Sequence, residues 1–135
     1  MTESIPCRDL FHLLNRLEAE AAGGPPVCLA VVRRSGVLAA LVSLDGTPER
    51  AVSLAQRKAY TAMRMECPTR SFHERLLRES LSLADFCDST FTSLEGGVPL
   101  FDHGGRCIGG LGISGRKPEE DGALAERLAR ILTEG

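Results

Sequence analysis

Gly105-Arg106-Cys107-Ile108-Gly109-Gly110-Leu111-Gly112-Ile113-Ser114-Gly115, followed by Arg116-Lys117-Pro118-Glu119-Glu120-Asp121, reads as a glycine-studded strand that runs into the first turn of the last helix. Each glycine weakens a strand, because it adds backbone entropy and brings no side chain to pack. Glycines in such a place mark the close approach of another backbone, a helix or a ligand. Glycine ahead of a helix also suggests a nucleotide loop. That reading fails here: the strand follows a hairpin turn, Asp102-His103-Gly104-Gly105, rather than a strand–helix alternation, and the chain has no G-x-x-x-x-G-K-[ST] segment.

Outward from this strand, the rest of the chain falls into alternating blocks. Leu10, Leu13, Leu14, Leu17 and Ala21 recur at helical spacing and predict a helix over about Cys7–Ala22, stopped by Gly23-Gly24-Pro25-Pro26. Two apolar runs, Val27–Arg33 and Val37–Leu44, flank Arg34-Ser35-Gly36 and predict an antiparallel hairpin. Glu49–Met65 lacks Gly and Pro and carries Ala51, Ala55, Ala59 and Ala62 as a narrow stripe, so this helix can lie close on a sheet. A shorter helix starts after Pro68 and runs to about Ser80, and Leu81–Thr90 is a connector. A strand within Phe91–Phe101 pairs with the glycine strand. Leu124, Leu128, Ile131 and Leu132 line one face of a last helix, with Pro118 and three acids in its first turn. Helix, strand pair, helix pair, strand pair, helix is the order of an α+β sandwich with one mainly antiparallel sheet, in a single domain over 1–135.

Composition narrows the function classes. Sixteen basic and 18 acidic residues give a net charge of -2, with no global field to favour nucleic acid or an acidic membrane surface. Five cysteines, Cys7, Cys28, Cys67, Cys87 and Cys107, include no C-x-x-C pair, which points to reduced thiols and away from structural zinc. With no apolar run long enough to span a bilayer and no basic-then-apolar start, the expected location is the cytoplasm.

Three segments in order, A-V-S-L-A-Q-R-K-A-Y-T-A over 51–62, Gly96-Gly97-Val98-Pro99-Leu100, and C-I-G-G-L-G-I-S-G-R-K-P-E-E-D over 107–121, resemble the signatures of the GlcG/HbpS family. The resemblance covers most of the chain. It implies a profilin-like or PAS-like sandwich with a five-stranded sheet, a homo-oligomer (a dimer or an assembly of dimers), and binding of haem or iron. Cys67 and Lys117 stand where relatives commonly carry other residues, and the stretch between Pro68 and Phe91 matches only loosely.

Candidate site residues follow from placement. Lys58 projects onto the flank of the alanine stripe with Leu54, Thr61, Ala62 and Met65, away from Arg57 and Arg64 on the wetter side. A lysine there either pairs with a buried carboxylate or carbonyl, Asp121 being the natural partner, or serves as the anion hook of a pocket, holding a haem propionate or a small organic acid. Pro99 places its strand at a sheet edge. Gly96 and Gly97 then form either a β-bulge or a pair of amides free to hold an anion. The resemblance favours a pocket wall shared with Ser114 and Gly115. Candidate iron ligands are His12, opposite the leucine face of the first helix, His73 at the core margin, His103 in the hairpin turn, and Cys67 in a Cys-Pro pair. No two histidines have ligand spacing. Ser114 lacks a G-x-S-x-G elbow, and no catalytic constellation emerges. Two function classes remain: a protein that binds haem or another small anion, or an enzyme or accessory subunit in the catabolism of a small carboxylic acid or diol.

Overall fold

The computed structural model describes residues 4–134. Four α-helices, α1 (Cys7–Glu20), α2 (Arg50–Met65), α3 (Thr69–Glu79) and α4 (Pro118–Glu134), surround one sheet of β1 (Cys28–Arg33), β2 (Leu38–Ser43), β3 (Gly97–Phe101) and β4 (Cys107–Ser114). The strand order is β2-β1-β4-β3 and every pairing is antiparallel. The sheet therefore has four strands among the described residues, not the five implied by the resemblance. Of Phe91–Phe101 only Gly97–Phe101 joins the ladder, because Phe91 turns inward onto Phe72 and the Thr92 N–H donates to Thr61 Oγ1 at 3.0 Å. The connector 81–90 forms only a short 3-10 turn at Leu83–Phe86.

Period-two alternation along β1 divides the core into two layers. Leu29 and Val31 join Leu111 and Ile113 of β4 against Leu10, Leu13 and Leu17 of α1 and Leu124 and Leu128 of α4. On the opposite face Cys28, Ala30 and Val32 meet Ala51, Ala55, Ala59 and Met63 of α2. A third cluster, Phe72, Leu76 and Phe91, seals α3 to the flank of α2.

Close packing of α2 explains the glycines of β4. A Cβ at Gly110 would strike the carbonyl oxygen of Ala59, and one at Gly112 that of Ala55. Alanines on the helix and glycines on the strand thus bring two backbones together with nothing between them. Thr61, fully buried, bridges this layer to the loop before β3: its hydroxyl donates to the Arg57 carbonyl at 2.8 Å and accepts from Thr92.

Candidate functional site

Lys58 is 2% exposed and Asp121 1% exposed. The Lys58 Nζ donates to Asp121 Oδ2 at 3.1 Å and to the Ile113 carbonyl at 3.0 Å, tying α2, the end of β4 and the first turn of α4 into one knot. Asp121 Oδ1 accepts the Arg116 N–H at 3.0 Å. The pairing expected from helical projection is therefore present. Burial draws the Lys58 ammonium below the ordinary lysine range, against the attraction of Asp121 and the more distant Glu95. Burial also pushes the Asp121 carboxyl up, against the pull of Lys58 and the Arg116 and Gly115 amides. Both partners are thus drawn towards their neutral forms by the removal of water.

The glycine pair beside this knot has a structural explanation. A Cβ on Gly96 would lie 2.8 Å from Lys58 Nζ, and one on Gly97 would strike the Lys58 carbonyl. The Gly97 N–H is not free for an anion, since it donates to Thr69 Oγ1 at 3.0 Å. The ladder irregularity of β3 falls between Leu100 and Phe101 instead of at the glycines. Gly96 and Gly97 stand behind Lys58 and do not share a wall with Ser114 and Gly115. Those two residues, with Lys58, Asp121, Arg50 and Arg116, are among the lining of a pocket of about 140 Å³. Pro99 lies on an edge strand, as its missing N–H requires.

The candidate iron ligands separate by environment. His12 and His73 are both exposed, on α1 and α3. His73 therefore turns away from the core margin, which Phe72 and Leu76 fill. Cys67 is half-buried against the Phe72 cluster, and burial raises its thiol pKa, which disfavours the thiolate that binds iron. His103 differs from these three. It lines a cleft of about 470 Å³ between the start of α1 and the β3–β4 turn, floored by Ile5, Leu100, Phe101, Ile108 and Leu132 and rimmed by Arg8, Asp9 and Asp102. Phe101 is 40% exposed there. Asp102 fixes the turn that carries the imidazole, accepting the Gly104 and Arg106 amides on Oδ1, each at 2.9 Å. No group of three or more His, Cys, Asp or Glu converges on a metal position among the described residues.

This cleft was not visible in the sequence, because its floor comes from the N-terminal segment, β3, β4 and α4. Its one local sign is an aromatic residue, Phe101, placed immediately before a polar turn.

Comparison with known proteins bears on this geometry. The family model described as haem degrading protein HbpS-like matches residues 5–130. The chain belongs to the HbpS-like family. No curated protein sequence matches it. Among solved structures, HbpS of Streptomyces reticuli, as a double mutant, superposes with a TM-score of 0.86 at 26% identity, covering 98% of this chain and 89% of that one. The PduOC:heme complex gives 0.84 at 24% identity, covering 96% and 95%. Klebsiella pneumoniae ORFY gives 0.87 at 20% identity, covering 98% and 93%. Membership of the HbpS-like family agrees with the resemblance of the 51–62, 96–100 and 107–121 segments. No helix among the described residues is long and apolar enough to cross a membrane.

Proposed function

We propose that this HbpS-like chain binds haem in the cleft beside His103. The observation that carries the reading is the coincidence, in one cleft, of an exposed imidazole, an apolar floor and one arginine, Arg8, on a rim it shares with Asp9 and Asp102. The cleft's volume of about 470 Å³ falls within the roughly 300–1,000 Å³ range of small-molecule sites, whereas the Lys58 pocket at about 140 Å³ falls below it. Leu100, Phe101 and Ile108 suit the flat apolar body of a porphyrin, Arg8 suits a propionate, and His103 would offer its imidazole nitrogen to the iron. Haem, when bound, brings the iron chemistry; this chain contributes a ligand, an apolar seat and a counter-charge. The haem-degrading description of the family and the haem complex of a relative with the same fold support the choice of ligand.

Self-association belongs to the same proposal. Strand β2 is a sheet edge whose six residues, Leu38 to Ser43, carry no charge, and Val37, Leu38 and Leu41 are exposed beside it. An uncharged, apolar edge of this kind suits pairing with a second copy. Free thiols at all five cysteines support a reducing compartment, the cytoplasm.

Titration of the protein with haemin, followed by the Soret band, tests the ligand. Saturable one-to-one binding that is lost or spectrally shifted in His103→Ala, but kept in His12→Ala and His73→Ala, is the predicted outcome. Retention of the wild-type spectrum in His103→Ala overturns it.

A further inference from the structure

The pocket that holds the end of β4 has chemistry the haem reading leaves unused. We propose that it is a second, separate binding site for a small carboxylate of two or three carbons. Ser114 is 4% exposed, lines the pocket, and its hydroxyl makes no hydrogen bond to any described residue. That hydroxyl is therefore open to the pocket, where it can donate to an incoming acceptor. Lys58 lines the same pocket, and two of its three N–H groups are taken by Asp121 and the Ile113 carbonyl, leaving one. Arg50, an exposed residue of the pocket lining, has no ion-pair partner among the described residues.

These three donors come from the first turn of α2, the middle of α2 and the end of β4, and they meet at one opening. The carboxylates nearby are already committed. Asp121 holds Lys58 and the Arg116 amide, and Glu95, whose charge Lys58 also feels, lies against the Gly122 position of α4. The amide of Lys117 is likewise taken, by Glu120 at 3.2 Å. An incoming anion is therefore recognised by side chains and not by the helix terminus. Leu54 and Leu94 supply an apolar wall for the carbon end of the ligand. A volume of about 140 Å³ has room for several water-sized groups, which admits acetate or propionate and excludes a ring.

Amide chemical-shift titration with sodium acetate, with sodium chloride as the ionic-strength control and sodium benzoate as the size control, is the test. Acetate should give saturable shifts centred on Ser114, Gly115 and Arg116, with a dissociation constant on the order of millimolar for so small a ligand. Ser114→Ala and Arg50→Gln should each weaken it about fivefold to tenfold without a loss of fold, while His103→Ala leaves it unchanged, which separates this site from the haem cleft. Shifts that chloride reproduces, equal binding of benzoate, or wild-type affinity in both Ser114→Ala and Arg50→Gln would overturn the proposal.

Discussion

Replacing Lys58 by methionine removes the counter-charge of a carboxylate that is 1% exposed, and the consequence can be worked from the contacts. Asp121 would keep the Arg116 amide at 3.0 Å but lose the ammonium at 3.1 Å, and the Ile113 carbonyl would lose the donor that reaches it at 3.0 Å. Breaking one side of a buried pair typically costs about 3–5 kcal/mol, because the remaining charge has neither water nor a partner. For a domain of this size that is a fall in Tm on the order of 10 °C. The double variant Lys58→Met with Asp121→Asn should lie within about 1–2 kcal/mol of the wild type, since an uncharged amide still accepts from Arg116 and can donate towards Ile113.

The pH dependence of the single variant follows from the raised pKa of Asp121. A carboxyl whose folded pKa lies above its unfolded value near 3.8 favours the folded state fully at low pH and loses that contribution as pH rises through the folded value. Without Lys58 to oppose the burial, the window extends further upward. The deficit of Lys58→Met relative to wild type should therefore be greatest at neutral pH and shrink as the pH falls towards about 4. Urea denaturation of the four members of the cycle, at neutral and acid pH, measures both effects. Losses that add within about 0.5 kcal/mol, or a deficit independent of pH, would refute the reasoning.

Three further outcomes follow from the packing. Gly112→Ala should destabilise by at least about 1–3 kcal/mol in thermal melts, because the new methyl meets the Ala55 carbonyl and α2 must be displaced. Thr61→Val should cost about 1–3 kcal/mol and speed hydrogen exchange at the Thr92 amide, which loses its buried acceptor. Tyr60, the only tyrosine, has its phenol raised above the ordinary value chiefly by the hydrogen bond it donates to Asp88 at 2.6 Å; ultraviolet titration of Asp88→Asn should show that ionisation moving down in pH.

Much of the architecture was legible because it is written locally. The leucine spacing of α1, the alanine stripe of α2 and the turn residues at 34–36 and 102–105 each specify an element without help from distant residues. Lys58 and Asp121 were legible as a pair since each falls on the buried face of its own helix. What escaped the sequence is what depends on tertiary placement. Gly97 donates to Thr69, 28 positions away, so its amide could not be assigned from the local motif. Phe91 and Thr92 leave the sheet for contacts with Phe72 and Thr61, which shortens the strand predicted over Phe91–Phe101 to Gly97–Phe101. His103 was one of four candidate iron ligands that the sequence could not rank, and only the meeting of Ile5, Leu100, Ile108 and Leu132 beside it gives its turn a cleft.

The most direct measurement of where haem sits is an amide shift map recorded with a diamagnetic metalloporphyrin such as gallium protoporphyrin, which leaves neighbouring signals visible. Perturbations centred on Ile5, Arg8, Phe101, His103 and Ile108, lining the cleft, are the predicted result. A map centred on His12, on His73, or on the Lys58 pocket, with the residues around His103 unmoved, would contradict it.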